Sequence, residues 1–420
     1  MTAPPFRWRT GAWSLTGQAV LALSGAARGV FIVRLLDTGS VGTLFLLMSG
    51  AGVVATLGQS GFAVSGLRRV TEDDDPAAVS RELRSVLALA LWTSAALGAA
   101  SAFALSRFHL SVFEIAGVTA LMLTQLWIGL LSGLVRGLRQ IALSVTHEQV
   151  VVPVLQVLVL GGFVARGGVP SIAALIASQA ACAVPSVVAL SGPVLAAAGV
   201  APRVARESQA TRLGESAGVA LNSLIWRAYS EVPLWVAGLA FGAAGAALYG
   251  VASRLATLLQ LPSLAVAAVL SPEIAALLSR RQYDLLEPQL RRAAVIAALM
   301  SVAGLTIVVF YGTDLLRFVF GAAFAHAAPV AAVLGLGQVI NAAAGSGGVT
   351  LLLMNEARRL VVISIVSTAV LTAASWPLAR AFGLENLAWA WCAAFTLQNI
   401  LMIVTVWRLT GMRVYVRLRP

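Results

Sequence analysis

Residues 293–312 read AAVIAALMSVAGLTIVVFYG, an uncharged stretch that directly follows the basic pair Arg291 and Arg292. A helix of about 20 apolar residues crosses a hydrocarbon core about 30 Å thick, so this stretch is long enough to span a bilayer. Similar stretches recur along the 420 residues, of which 59% are hydrophobic and only 11% are charged. Soluble domains carry about 25% charged residues, and the sequence therefore predicts an all-α integral membrane protein.

The number of these stretches predicts about twelve transmembrane helices, separated by short turns that carry charged residues, glycine or proline. Arg7 and Arg9 precede the first stretch, which has no small-residue cleavage pattern at its end, so we interpret it as a membrane helix and not as a signal peptide. The first six spans are expected at 13–34, 42–66, 85–106, 111–134, 148–165 and 171–198. The second six are expected at 215–240, 244–270, 292–312, 328–353, 360–379 and 386–407.

The positions of the basic residues predict the orientation in the membrane. All 29 are arginine, and twenty-one of them fall in cytoplasmic loops or termini if both ends of the chain are cytoplasmic. Five fall at the outer side and three within spans, so the positive-inside rule predicts cytoplasmic N- and C-termini. The net charge of +12 is scattered over short loops, which argues against a nucleic-acid partner because phosphate contacts need a contiguous basic surface.

An even number of spans with a basic connection near the middle predicts two halves. We expect an N-terminal six-helix bundle at 1–200, a cytoplasmic linker at 201–214 and a C-terminal six-helix bundle at 215–420. Gly42-Thr43-Leu44-Phe45 resembles Ala246-Ala247-Leu248-Tyr249, although two apolar sequences also match by chance. Halves of even helix number form two pseudo-symmetric six-helix bundles, related by an axis along the membrane normal, around a central cavity.

Three arginines, Arg28, Arg227 and Arg254, fall inside predicted spans. An ionised guanidinium at the middle of a bilayer costs at least about 2.5 to 3.5 kcal/mol, so it usually faces a cavity or a partner. Two structural alternatives stay open. The long side chains of Arg28 and Arg254 can reach toward the interface, and Glu231, one helical turn after Arg227, can neutralise that arginine in an ion pair.

Polar residues on single helix faces accompany these arginines. Residues four or seven positions apart share a helix face, which then looks into water or protein and not into lipid. Such stripes fit a hydrated cavity, but small polar residues also serve close helix packing. The stripes comprise Ser216, Ser223, Ser230 and Glu231 in span seven, Tyr249, Ser253 and Gln260 in span eight, and Gln338, Asn341 and Gly345 in span ten.

Other kinds of site lack a sequence pattern. Cys182 and Cys392 lie in apolar stretches, which indicates small core residues and neither a disulfide framework nor a metal site. The three histidines are far apart, and no phosphate-binding glycine loop precedes a helix, so we expect no metal, cofactor or ATP-driven step. The predicted outer loops are too short for a catalytic domain, which argues against an enzyme.

The sequence contains three motifs: ARGVFIVRLLD at 27–37, running into VGTLF at 41–45; LYGVASRL at 248–255; and LSPEI at 270–274. These motifs resemble segments of bacterial polysaccharide or O-antigen flippases of the multidrug/oligosaccharidyl-lipid/polysaccharide exporter (MOP) superfamily. The motif at 27–45 resembles the end of the family's first helix and the entry to its second. It has Asp37 in place of the usual glycine and Gly-Thr-Leu-Phe in place of Gly-x-aromatic. Residues 248–255, LYGVASRL, resemble the family's helix-eight pattern, and residues 270–274, LSPEI, resemble the turn that follows it.

The resemblance implies a secondary transporter of the bacterial cytoplasmic membrane that moves an undecaprenyl-pyrophosphate-linked oligosaccharide for surface polysaccharide or lipopolysaccharide biosynthesis. Such a protein works as a monomer among membrane lipids, with a glycan polymerase and other assembly proteins as partners. Arginine offers forked donors to phosphate oxygens. The implied substrate-binding residues are Arg28, Arg227 and Arg254 for the pyrophosphate and Ser223, Ser230, Gln260 and Asn341 for sugar hydroxyls, with Glu231 as a possible coupling residue.

A drug/cation antiporter and a lipid II flippase of the same superfamily are the alternatives. An antiporter needs a buried carboxylate to exchange a proton or sodium ion for a cationic drug, and Glu231 is the acid that the sequence places well inside a span. A cavity with more arginines than carboxylates repels cationic drugs, which favours the flippase.

Overall fold

The computed structural model describes residues 8–72, 75–108, 110–199 and 207–416, and these residues form helices and connecting turns without a β-strand. The first seven α-helices are α1 (Trp8–Leu35), α2 (Thr38–Glu72), α3 (Pro76–Leu105), α4 (Val112–Gly137), α5 (Ile141–Val145), α6 (Val152–Ala165) and α7 (Ile172–Ala198). The remaining seven are α8 (Glu207–Leu258), α9 (Leu261–Ser279), α10 (Tyr283–Phe320), α11 (Ala328–Ala344), α12 (Gly347–Leu353), α13 (Ala357–Phe382) and α14 (Leu384–Thr410).

Within the described ranges, 11 helical segments are long and apolar enough to cross a membrane. One of them, Ser223–Leu258, is interrupted at Gly242, whose φ of 71° and ψ of −172° are not helical. Glycine adopts such a conformation without steric cost, and the interruption falls between the predicted spans 215–240 and 244–270. The all-α membrane fold is thus confirmed, and the expected arrangement of two bundles around a cavity stays a prediction.

The boundaries of two predicted spans, at 244–270 and at 328–353, were wrong. The first is interrupted near Gln260, because α9 starts there with a proline in its first turn, and α9 continues to Ser279. The second ends as a helix at Ala344, because Gly345 has a φ of 76°, and α12 follows. The C-terminal segment packs beside this interruption, where the Val416 amide donates a hydrogen bond of 2.9 Å to the Ala343 carbonyl.

The predicted span 148–165 starts earlier than expected. Helix α5 begins at Ile141 and continues through a π-helical turn, Thr146–Val151, into α6. The structure therefore places Glu148 inside the candidate span Ile141–Ala165 and not at its start. A π-helical turn inserts one extra residue, which changes the face on which the following side chains lie.

The chain forms two compact units. Unit 1 comprises Met1–Leu36 and Leu44–Ala228, and unit 2 comprises Asp37–Thr43 and Tyr229–Pro420. The predicted linker at 201–214 lies partly outside the described residues, and from Glu207 onward it belongs to α8.

Each unit has its own apolar core. In unit 1, buried leucines of α3, α4 and α7, among them Leu83, Leu130 and Leu190, pack together. In unit 2, Tyr229 and Phe395 pack with Trp391 in a cluster of three aromatic rings whose centroids lie 4.8 to 6.4 Å apart. This separation is typical of aromatic pairs that contact one another in a core.

The start of α2 explains two residues of the segment that resembles the flippase family. Asp37 accepts a 3.0 Å hydrogen bond from the Ser40 amide, so it caps the helix, and the hydrogen bonds from Ser40 lower the pKa of the Asp37 carboxyl. Gly42 is buried where α2 crosses the chain just after Gly242, and a Cβ on Gly42 would overlap the Ala243 carbonyl. Close approach of two backbones at this position therefore requires glycine.

Replacing Gly42 with alanine should destabilise unit 2, because the backbone of Ala243 must move to make room for the added methyl group. Overpacking of this kind costs about 1 to 3 kcal/mol. Gly50→Ala on the same helix is the matched control, since a Cβ there meets nothing within 4 Å. We expect thermal unfolding in detergent to show a lower midpoint for Gly42→Ala and an unchanged midpoint for Gly50→Ala; equal midpoints would contradict the proposed contact.

Candidate functional site

Arg28 contacts a neutral partner inside unit 1. Its side chain is half-buried on α1, and Nη1 donates a 2.7 Å hydrogen bond to Oε1 of Gln156 on α6. Gln156 in turn donates from Nε2 to the backbone carbonyl of Gln179 on α7, at 3.3 Å. Within the described part of the chain, no ion pair joins Arg28 to a carboxylate. The guanidinium is therefore directed at α6 and held there by an uncharged amide.

Arg227 is placed by a glycine on a neighbouring helix of unit 1. Its half-buried guanidinium lies against Gly52 of α2, which is buried, and a Cβ on Gly52 would overlap Nη2 of Arg227 and lie 3.0 Å from its Cζ. Gly52 thus provides the space that the guanidinium occupies. Ser223, one turn earlier on α8, is half-buried as well. The substrate-binding roles of Arg227 and Ser223 stay predictions.

The other predicted site residues lie in unit 2. Arg254 is half-buried and donates a 2.9 Å hydrogen bond to the carbonyl of Gly250 on its own helix. Gln260 is half-buried at the junction of α8 and α9, and Asn341 is half-buried on α11. On α8, Ser230 is exposed and Glu231 is half-buried. The proposed roles of these five residues stay predictions.

A polar cluster between α4 and the helix that follows it was missed by the sequence reasoning. Arg136 forms an ion pair with Glu148, and Ser132 also donates to that carboxylate. The Arg136 Nε donates to the Ser144 hydroxyl at 2.8 Å, and the two serine hydroxyls are 2.5 Å apart. The sequence predicts Arg136 in a cytoplasmic loop, whereas it lies in the last turn of α4. Ser132 and Arg136 are four residues apart, and so are Ser144 and Glu148. This spacing puts the members of each pair on one helix face, and it is the sequence signal that indicates two facing polar stripes.

The π-helical turn carries two further polar side chains toward neighbouring helices. Nδ1 of His147 lies 3.1 Å from the Ser186 hydroxyl on α7. Gln149 lies against Gly17 of α1, where a Cβ would come within 3.3 Å of the Gln149 Cβ. Among the residues described, no group of three or more His, Cys, Asp or Glu side chains is arranged to hold a metal ion.

Comparisons with known proteins identify the fold. No protein-family model matches the chain, and no curated protein matches it in sequence. An inward-facing multidrug resistance MATE family transporter of the MOP superfamily is 14% identical; the match covers 96% of this chain and 98% of the transporter, with a TM-score of 0.71. The lipid II flippase MurJ, in an inward closed conformation, is 10% identical over 93% of this chain and 86% of MurJ, with a TM-score of 0.76.

A third structure, a MOP superfamily transporter from Pyrococcus furiosus, is 14% identical over 97% of this chain and 94% of that transporter, with a TM-score of 0.64. Identities this low show the fold alone. The chain therefore has the multi-pass helical fold of MOP superfamily transporters, as the resemblance of the three sequence segments implied.

The Arg136–Glu148 pair should stabilise unit 1 mainly because each charge compensates the other in a partly buried position. Removing one partner leaves a partly buried charge without its counter-charge, so Glu148→Ala should lower the free energy of unfolding more than the double replacement with Arg136→Ala does. We expect a coupling energy of about 1 to 3 kcal/mol from the double-mutant cycle, measured by unfolding in detergent.

The exposed Asp75–Arg81 pair, with an N–O distance of 4.0 Å, is the control for this cycle, because more than half of each side chain is exposed. Its coupling energy should stay below about 1 kcal/mol, because solvent screens surface pairs. Equal coupling energies for the two pairs would mean that the polar cluster contributes no more than a surface contact.

Proposed function

We propose that this chain is a flippase that moves an undecaprenyl-pyrophosphate-linked oligosaccharide across the bacterial cytoplasmic membrane by alternating access. The product would serve surface polysaccharide or lipopolysaccharide biosynthesis. Three things support the proposal: the fold shared with MOP superfamily transporters, the three segments that resemble polysaccharide flippases, and the environment of Arg28.

The environment of Arg28 is the single observation that carries the proposal. About 10 Å of helix axis separates Arg28 from the end of α1 at Leu35, so the charge lies well inside the candidate span Thr16–Leu35. Its partner is the neutral Gln156, and no carboxylate among the described residues compensates the positive charge. Holding such a charge in an apolar segment is unfavourable unless an anion or water offsets it, which favours an anionic headgroup over a cationic drug.

Arg227 would supply a second cation for the pyrophosphate, placed by the space at Gly52. Arg254 is a further candidate for the headgroup. In this proposal the hydroxyls and amides of Ser223, Ser230, Gln260 and Asn341 bind sugar hydroxyls. Glu231 would couple transport to an ion. No cofactor enters the mechanism, and the protein would act as a monomer beside a glycan polymerase and other assembly proteins.

The flippase proposal is tested by replacing the two arginines with glutamine in the full chain, reconstituted in proteoliposomes. The substrate is a fluorescent polyprenyl-pyrophosphate-linked oligosaccharide, and transbilayer movement is measured by quenching with a membrane-impermeant reagent. Hydrogen bonds to charged groups contribute about 1.5 to 3 kcal/mol, so Arg28→Gln and Arg227→Gln should each slow transport about tenfold or more.

Arg107→Gln is the matched control for charge removal, because Arg107 is exposed and its guanidinium lies 4.7 Å from the ring centroid of Phe103. It should transport like the unmodified protein. Unchanged transport by both Arg28→Gln and Arg227→Gln would refute the headgroup assignment.

The two alternatives predict different substrates. The drug/cation antiporter predicts ethidium export that depends on Glu231, and the lipid II flippase predicts that lipid II crosses at least as fast as other polyprenyl-pyrophosphate glycans. We expect no ethidium export from cells that express the protein. Strong ethidium export without glycolipid movement would favour the antiporter.

A smaller substitution tests the position of Arg227 while its charge is kept. Gly52→Ala should slow glycolipid transport severalfold, because the added methyl group displaces the guanidinium from its place on α2. Gly50→Ala, two residues earlier on the same helix, should leave transport unchanged, since a Cβ there meets nothing within 4 Å. The rate of transport in the same proteoliposome assay is the measurement; identical rates for the two variants would show that transport does not depend on this position of Arg227.

A further inference from the structure

Gln156 has a buried side-chain amide whose orientation is fixed by two partners, one a hydrogen-bond donor and the other an acceptor. Only 6% of this residue is exposed. A guanidinium donates hydrogen bonds and accepts none, so Oε1 of Gln156 must face Arg28. A backbone carbonyl only accepts, so Nε2 must face Gln179. Helices α1, α6 and α7 of unit 1 thus hold Arg28 through a chain of hydrogen bonds that contains no counter-charge.

Another half-buried arginine of unit 1, Arg136, shows the contrast. Arg136 is held by Glu148, which cancels its charge, and by serine hydroxyls. A carboxylate in place of the Gln156 amide would hold Arg28 just as firmly, but it would neutralise the guanidinium. The difference between an amide and a carboxylate therefore decides whether the arginine stays available to an anion.

The remaining hydrogen-bonding capacity at this place also fits an anion. The guanidinium has five N–H donors, of which one contacts Gln156. The other four donors have no partner within the described part of the chain, so they remain for the oxygens of an anion.

We infer that Gln156 is the positioning residue that makes Arg28 a binding site for a lipid-linked pyrophosphate: it orients the guanidinium without neutralising it. This inference rests on the proposed function, since it assigns the residue that prepares Arg28 for the headgroup. Free inorganic pyrophosphate has the same anionic chemistry, and the experiment separates the two sources.

The test measures binding to the full chain in nanodiscs. The probes are geranylgeranyl pyrophosphate, the uncharged geranylgeraniol, and inorganic pyrophosphate. Gln156→Glu should weaken geranylgeranyl pyrophosphate binding about tenfold or more, as Arg28→Gln should, although Gln156→Glu keeps the arginine. Gln156→Met keeps the charge and loses the orientation, so it should weaken binding less than Gln156→Glu does.

Binding of geranylgeraniol separates positioning from a general structural defect. Each variant should bind this alcohol as the unmodified protein does, because a damaged fold would weaken both lipids and a changed charge weakens only the pyrophosphate. The double variant Arg28→Gln with Gln156→Arg returns one uncompensated charge to the same pair and should recover most of the lost affinity. Inorganic pyrophosphate should compete only weakly, since it lacks the lipid chain.

The outcomes distinguish this inference from the proposed function. If Gln156→Glu binds geranylgeranyl pyrophosphate like the unmodified protein while Arg28→Gln does not, the role of Gln156 is wrong and the headgroup role of Arg28 stands. If Arg28→Gln itself leaves binding unchanged, the headgroup assignment in the proposed function fails. Inorganic pyrophosphate that binds as tightly as the lipid would overturn the lipid source.

Discussion

The hydrogen bond between Arg28 and Gln156 is the interaction on which the functional account depends. An ionised guanidinium inside an apolar helix is unfavourable, and a protein usually offsets it with a carboxylate or exposes it to water. Here a buried amide holds the charge at 2.7 Å without cancelling it. No carboxylate in the described ranges compensates this charge within the candidate span, and an anionic group is the ligand class that such an arrangement favours.

Other contacts of unit 1 position two further arginines. Gly52 leaves the space that the Arg227 guanidinium occupies, and the Arg136–Glu148 pair joins α4 to the helix that carries Gln156. The π-helical turn Thr146–Val151, which carries Glu148, sets the face on which α6 presents its side chains. Unit 1 therefore contains Arg136, whose charge is neutralised by Glu148, and Arg28, whose partner is neutral. The neutralised Arg136 is suited to a structural role, and Arg28 is suited to binding an anion.

Composition and periodicity were sufficient to predict the fold class, because a bilayer requires long apolar helices whatever their contacts are. The interruption at Gly242 was predictable, since it separates two apolar stretches, whereas the interruption at Gly345 lies within one. Arg28 was predictable as a site residue because its charge falls within an apolar span. Its contact with Gln156 was not predictable, because the two residues are 128 positions apart and contacts between helices leave no local sequence pattern. Glu148 was missed because its helix begins at Ile141, before the apolar run.

A structure of the full chain in nanodiscs with a bound polyprenyl-pyrophosphate lipid tests the central claim most directly. The account predicts that a phosphate oxygen lies within hydrogen-bond distance of the Arg28 guanidinium while Gln156 keeps its contact with that side chain. A headgroup bound elsewhere, with Arg28 directed at lipid or paired with a carboxylate, would contradict it.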